Sequence, residues 1–241
     1  MRSPIPAKDI EAKRLQYEYY TKTAADYDSA HSGDREHELA MGFMLGMIDY
    51  FRIETILDVG AGTGRLIEFL NTRNPEIQVC GIEPVENLRK IGYSKGISRE
   101  CLVDGDALAI KYDKDSFDLV CAFAMLHHVG TPEIVLGEML RVARVAIFLS
   151  DSNNYGQGPR HMRAIKQALR TLGLWRVANR IKTKGKGYTC TDGDGVAYSY
   201  SIFDNYSWLK SSCSSVHLLN TASSGPNLYR TAGHVALLGI L

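Results

Sequence analysis

An α/β fold built on a doubly wound parallel sheet is predicted by three observations. Strand-like and helix-like segments alternate from Glu54 to Ser150, with apolar runs near Thr55, Val79, Leu102, Leu119 and Val145 and helical patterns between them. The first run, Thr55-Ile-Leu-Asp-Val59, opens into the glycine turn Gly60-Ala-Gly-Thr-Gly64. It continues as Arg65-Leu-Ile-Glu-Phe-Leu70, with Leu66, Phe69 and Leu70 on one helical face. The second run, Ile77-Gln-Val-Cys-Gly-Ile82, ends in Glu83 and Pro84.

The glycines let the backbone turn sharply and approach a ligand without a Cβ in the way. Such a turn at the carboxyl edge of a parallel sheet is a cradle for a nucleotide-type ligand. Asp58 narrows the choice. A dinucleotide places its pyrophosphate over the helix N-terminus, where negative charge is favoured, and a carboxylate alongside would repel it. A ligand with an ammonium group, an adenosine and no phosphate is attracted instead, and S-adenosylmethionine has all three properties. Glu83 stands at the spacing where an acid accepts hydrogen bonds from both ribose hydroxyls.

The unit Leu57-Asp-Val-Gly-Ala-Gly-Thr-Gly64 resembles the first motif of the class I S-adenosylmethionine-dependent methyltransferases, and Glu83 resembles the acid that ends that family's second strand. The resemblance implies a Rossmann-like doubly wound sheet of seven strands with a final antiparallel hairpin and an N-terminal helical cap. It implies S-adenosylmethionine as cofactor and S-adenosylhomocysteine as product. Asp58, Gly60, Ala61, Gly62, Gly64, Glu83 and Pro84 would contact the cofactor. Leu102-Val-Asp-Gly-Asp-Ala107 looks like the family's adenine loop, with Asp106 accepting from the adenine amino group and the Ala107 amide reading a ring nitrogen; Asp104 is the competing acid. Phe123 to Met125 would line the methionine end, and Tyr20 and Tyr27 would close the pocket from the N-terminal helix. The pair His127-His128 after the fourth strand is common in the branch that methylates small molecules.

A chain of 241 residues suits one domain in four stretches. Residues 1–50 form a helical cap, helical from about Asp9 to Tyr50, aromatic at Tyr17, Tyr19, Tyr20 and Tyr27, with an apolar face of Met41, Phe43, Met44, Leu45, Met47 and Ile48. Residues 51–150 form the cofactor-binding core, with the fourth strand at Phe117–Phe123 and the fifth at Val145–Leu149. Residues 151–203 are an insertion after strand five and a candidate substrate element. Residues 204–241 carry a helix from Asp204 to Ser212 and closing strands Ser215–Asn220 and Gly233–Leu241, joined by a Ser-Ser-Gly-Pro turn around Gly225 and Pro226.

Within the insertion, Met162, Ile165, Leu169 and Leu172 form a helical stripe, and Arg163, Lys166 and Arg170 fall on another face. From Arg160 to Lys186 there are nine Lys or Arg residues and no acid. That basic stretch reads either as a solvated face or as a wall for an anionic acceptor, with Lys184-Gly-Lys-Gly187 as a flexible loop. Gly193 to Ile202 alternates as an edge strand with Tyr198 and Tyr200 on one face.

The formal net charge of +1 draws the chain to no nucleic acid. No apolar run approaches the roughly twenty residues of a membrane span. The first ten residues lack the apolar core of a signal peptide, so a cytoplasmic location is expected. The five cysteines form no C-x-x-C pair, and Cys80 and Cys121 fall in predicted buried strands.

Methyl transfer from a sulfonium is an in-line displacement, so alignment is the main demand. An oxygen or nitrogen acceptor also needs a base. His127 or His128 is the first candidate and Asp151 the second. Adjacent residues point different ways, so one histidine is expected to face the substrate and the other to pack. Metal-assisted catechol-type enzymes carry carboxylates after strand four; here Asp151, Asn153 and Asn154 echo only the part after strand five, and no metal is expected. The acceptor is expected to be a small, anionic metabolite methylated on oxygen. The alternatives are a nucleic-acid or protein methyltransferase, a non-catalytic cofactor-binding module, and a nicotinamide oxidoreductase, which would leave Asp58 unexplained.

Overall fold

The computed structural model describes residues 7–222, 225 and 227–241. Three helices come first: α1 (Ala7–Thr23), the single turn α2 (Tyr27–Ala30) and α3 (Arg35–Phe51). Then come β1 (Thr55–Val59), α4 (Arg65–Arg73), β2 (Gln78–Ile82), α5 (Glu86–Ser94), β3 (Leu102–Val103), β4 (Phe117–Phe123), α6 (Pro132–Val142) and β5 (Ala143–Ser152), which alternate as the apolar pattern predicts except that a loop and no helix joins β3 to β4. The insertion supplies α7 (Arg160–Thr171), α8 (Trp175–Lys182) and the strands β6 (Tyr188–Thr191) and β7 (Gly195–Tyr198). The chain closes with α9 (Tyr206–Ser212), β8 (Ser215–Asn220), the turn α10 (Leu228–Thr231) and β9 (His234–Ile240).

Seven strands form one sheet in the order β3-β2-β1-β4-β5-β9-β8. Strands β1 to β5 pair in parallel, and β9 runs antiparallel to both β5 and β8, which is the expected closing hairpin. The strand order reverses between β1 and β4, so a crevice opens beyond their carboxyl ends. Asp58 of β1 stands beside Cys121 of β4 at that point.

Alternation in β1 sorts its side chains into two cores. Leu57 and Val59 pack with Val135, Leu136 and Met139 of α6. Ile56 packs on the other face with Met44 and Ile48 of α3 and Ile67 and Leu70 of α4. Both faces are covered, which is why the strands read as near-continuous apolar runs. Phe148 of β5 is fully buried between Phe43 of α3 and Phe123 of β4, with ring centroids 6.2 and 5.6 Å away. It joins the cap, the sheet and the edge of the crevice.

Strands β6 and β7 form a separate two-stranded ribbon. Its Tyr188 and Val196 pack on Ala12 of α1, with Leu15 and Tyr198 at the margin. β7 ends at Tyr198, and a tight turn in which the Tyr200 amide donates to the Tyr198 carbonyl at 2.7 Å sends Tyr200 into the main core. The two tyrosines therefore do not share a face. The helix predicted from Asp204 begins at Tyr206, after a 3₁₀ turn capped by Ser201. β5 is longer than Val145–Leu149 because its pairing with β9 runs from Ala146 to Ser152. Cys121 is buried, whereas Cys80 is only half-buried. Ser223, Ser224 and Pro226 of the predicted turn lie outside the described residues. Among the described residues no helix is long and apolar enough to cross a membrane.

Phe148→Ala leaves a cavity between helix α3 and the sheet. The expected loss is about 3–5 kcal/mol of stability, measured by denaturant titration.

Candidate active site

Gly60 holds φ +77°, a backbone that side-chain-bearing residues rarely adopt. The amides of Gly60 and Ala61 donate to the Ile82 carbonyl at 2.9 and 3.0 Å, which ties the turn to the end of β2. A Cβ on Gly60 would stand 3.1 Å from Met125 Cβ. Gly64 also has φ +77° but lies away from the crevice, where a Cβ would collide with Ile97.

Glu83 is buried at the end of β2, and its carboxylate accepts from the Gly62 amide at 3.0 Å and the Val85 amide at 2.8 Å. Asp58 is buried close by, with the Cys121 thiol 3.9 Å from its carboxylate. Burial and then the charge of Glu83 push Asp58 up to about 7. Burial also raises Glu83 to about 7, although the Val85 and Gly62 amides pull it down. No cation pairs with Asp58 among the described residues. Two neighbouring buried carboxyls are costly to ionise without a partner, so the pair is built to receive positive charge and hydrogen-bond donors.

Two cavities meet over this turn. The smaller, about 340 Å³, is bounded by Glu83, Pro84, Asp106, Ala107 and His128, with Lys13 from α1. The larger, about 870 Å³, is bounded by Asp58, His37, His127, Asp194 and His234. Tyr20, Tyr27, Gly60 and Phe123 belong to both, so the two tyrosines and the end of β4 stand where the two spaces join. Asp106 meets Lys13 Nζ at 2.6 Å on the cavity wall. Asp104 points away, exposed and paired with Arg89 at 3.0 Å. Ala124, just after β4, holds φ +50°, an uncommon conformation for a residue with a Cβ. It turns the chain into the 3₁₀ turn Leu126–His128.

That turn presents the paired histidines. His127 Nδ1 lies 2.8 Å from Asp151 and its Nε2 lies 3.2 Å from Asp194. His128 Nε2 lies 3.4 Å from the same Asp194 and 3.0 Å from the Tyr20 hydroxyl. The expectation that adjacent histidines diverge is therefore corrected: their ring centroids are 4.0 Å apart and both converge on one carboxylate. The tight turn and the long reach of Asp194 from the β6–β7 connection make this possible. His128 Nδ1 sits 2.6 Å from the Val196 carbonyl, which only accepts, so Nδ1 carries the proton and Nε2 accepts from Tyr20.

The two rings are in opposite states. Burial works against charge on His127, but Asp151 and then Asp194 outweigh it and push the ring up to about 10. Burial and the charge of His127 lower His128, which stays neutral. Asp151 is fully buried, yet His127 holds it at about 2, and it also accepts from the Leu126 and Ser152 amides at 2.8 and 2.6 Å. Its lone pairs are committed, so it positions His127. His127, His128 and Asp194 each offer a ligand atom within 4.8 Å of the others, the one group among the described residues spaced to hold a metal ion.

Two further histidines face the larger cavity. His37 and His234 meet edge to face at 4.7 Å, and His37 Nδ1 and His234 Nε2 have no hydrogen-bond partner among the described residues. Burial and then His37 push His234 down to about 3, so it is neutral.

The basic wall expected from α7 is not at the site. Arg163, Lys166 and Arg170 turn toward the protein body. Lys166 donates to the carbonyls of Asn154 and Gln157, Gln167 to that of Tyr155, and Arg170 to the Tyr155 hydroxyl and Asp204. That segment offers unpaired carbonyls, and long cationic side chains satisfy them. Arg160, Arg163 and Lys166 line neither cavity.

Sequence reasoning missed Asp194 and Gln16. Gln16 of α1 accepts from the Val196 amide at 2.6 Å and donates to the Asp194 carbonyl at 3.2 Å, fixing the turn that carries Asp194. The signal available was Asp192-Gly-Asp-Gly195 between two alternating runs, a hairpin turn.

Residues 57–146 match the family model described as "Methyltransferase domain". The chain is 34% identical over 154 residues to a demethylmenaquinone methyltransferase of Roseiflexus castenholzii, covering 58% of this chain and 60% of that protein. It is 28% identical over 159 residues to a malonyl-[acyl-carrier protein] O-methyltransferase of Laribacter hongkongensis, covering 62% of this chain and 52% of that protein. The chain thus spans half to three-fifths of the length of these curated relatives. Among solved structures, an S-adenosylmethionine-dependent methyltransferase from Thermotoga maritima superposes with a TM-score of 0.59 at 14% identity, over 93% of this chain and 99% of that one. The plantazolicin methyltransferase BpumL, solved with S-adenosylhomocysteine, superposes with a TM-score of 0.56 at 12% identity, over 96% and 98%. These two likenesses concern the fold.

Asp151→Ala leaves the buried His127 imidazolium with Asp194 as its remaining carboxylate partner, and the expected cost near pH 6 is about 3–5 kcal/mol in a thermal or denaturant melt. Because His127 is raised to about 10, its share of stability is complete below the unfolded value near 6.5 and is lost as pH rises through 10. The gap between variant and parent is therefore expected to narrow in alkaline melts.

Proposed function

We propose that this chain, a class I S-adenosylmethionine-dependent methyltransferase by its family match, methylates a hydroxyl of a small polar metabolite. The observation that carries the reading is the neutral, buried His128 beside Tyr20, at the junction of a nucleoside-sized cavity and a larger chamber.

The smaller cavity takes the adenosine. Glu83 receives the ribose hydroxyls, Asp106 the adenine amino group and the Ala107 amide a ring nitrogen. Asp58 faces the ammonium group across Gly60 and Gly62, while Phe123 flanks the methionine chain. Tyr20 and Tyr27 close over the sulfonium. The acceptor enters the larger chamber, where the unpartnered nitrogens of His37 and His234 are available to its polar groups. Its reacting hydroxyl donates to Tyr20, which already donates to His128 Nε2. As the oxygen attacks the methyl carbon and the carbon–sulfur bond breaks, the proton moves by way of the Tyr20 oxygen to His128. Asp194 then faces the imidazolium that forms. His127, already charged, does not serve as the base. An anionic acceptor loses its main support, since the cations of α7 lie elsewhere and Asp58 and Asp194 bound the chamber.

S-adenosylhomocysteine is expected to bind in calorimetry where NADH does not. Asp58→Ala and Glu83→Ala each weaken it by roughly 1–3 kcal/mol. Both carboxyls are raised to about 7, and the bound ammonium and diol favour their ionised forms. Binding should therefore release protons, and affinity should fall as pH drops below 7. Tight NADH binding with none of S-adenosylhomocysteine would overturn the reading.

His128→Ala is expected to slow methyl transfer to a metabolite extract by about 10²–10⁴-fold with cofactor affinity retained. Tyr20→Phe should slow it as well. Full turnover in both variants refutes the relay. A rate abolished by chelation would move the role to a cation on His127, His128 and Asp194.

A further inference from the structure

Helix α7 is packed inside out. Its polar side chains Arg163, Lys166, Gln167 and Arg170 reach inward to carbonyls and to Asp204, and neither α7 nor α8 contains a fully buried residue. The apolar stripe faces outward instead. Met162, Ile165, Leu172, Leu174, Val177 and Ile181 are all exposed, Leu172 at 69% and Ile181 at 74%. Isolated exposed aliphatics are ordinary, but six on two consecutive short helices and the turn between them make a patch that calls for a partner. Cations surround it. Arg160, Arg176, Arg180, Lys182, Lys184 and Lys186 are exposed, and none forms an ion pair among the described residues.

We propose that the outward face of α7 and α8 docks the protein onto an anionic lipid surface. An apolar ridge edged by Lys and Arg is the pattern of a helix that lies in the headgroup layer, aliphatic side chains dipping inward and cations meeting phosphates. Charge complementarity selects this occupant over a second copy of the chain. Two such faces would bring six exposed cations against six, with no acid between Arg160 and Lys186 to offset them. Nucleic acid would satisfy the cations and leave six aliphatic side chains against phosphate or solvent. The inner side of α7 adjoins the chamber: Lys166 donates at 2.9 Å to the carbonyl of Gln157, a residue of the chamber wall. The proposal rests on the surface alone and holds for any acceptor.

The test is co-sedimentation of the whole chain with vesicles of equimolar phosphatidylcholine and phosphatidylglycerol, against pure phosphatidylcholine. Binding is expected to the first and not the second, and to weaken as salt is raised. Each cation near such a surface contributes about fivefold, so Arg180→Gln with Lys182→Gln should reduce binding about 25-fold. Ile165→Glu with Ile181→Glu should abolish it. These side chains are exposed and lie outside the cavities, so circular dichroism and S-adenosylhomocysteine binding should be unchanged and serve as folding controls. Absence of vesicle binding, equal binding to neutral vesicles, or retention by the glutamate variant would overturn the proposal. So would a dimer in mass photometry that the glutamate variant dissolves, since that assigns the face to self-association.

Discussion

A buried carboxylate with three donors, Asp151, holds the active end of the molecule together. It lies next to the end of β5, accepts from the amides of Leu126 and Ser152, and pairs with the His127 ring. Through His127 it reaches Asp194, and the backbone around Asp194 is bound by Gln16 of α1. Sheet, cap and insertion thus meet along one line of charge and hydrogen bonds. Ionising a buried acid is unfavourable unless its partners are complete. Asp151 completes its set within the sheet region, but the second carboxylate on His127, Asp194, arrives only when the β6–β7 ribbon and α1 are in place.

The inner strands of the sheet were legible because they are buried on both faces. A continuous apolar run leaves little freedom in register, and β4 spans the residues its pattern marks. Asp58 and Glu83 were legible for a related reason: an acid at the end of such a run has nowhere to go but the carboxyl edge. The structure places Asp106 on the cavity wall and Asp104 outside it, a choice that the loop sequence alone left open.

What escaped the sequence depends on docking between segments far apart in the chain. Asp194 meets His127 across 67 positions, and only the seating of β6 and β7 on α1 brings them together. The direction of α7 escaped for a subtler reason. Periodicity shows that a helix has an apolar stripe, and burial of that stripe is the usual outcome. The decision lies instead in the surface on which the helix lands. The stretch from Asn154 to Gln157 presents carbonyls, and Lys166 and Gln167 satisfy them.

The two ends of the crevice spend electrostatic energy in opposite ways. At the histidine end every charge has its counter-charge, so the geometry is fixed before a ligand arrives and little reorganisation remains for the reaction. At the glycine turn, Asp58 and Glu83 are buried near each other, and their raised protonation reflects a missing cation. A ligand that brings an ammonium group and a diol supplies what the fold withholds. Its binding therefore draws on strain already present in the empty site, while a phosphate-bearing ligand would add to that strain. In the proposed site, the same two acids that make the unliganded turn less stable as they ionise would select the ligand.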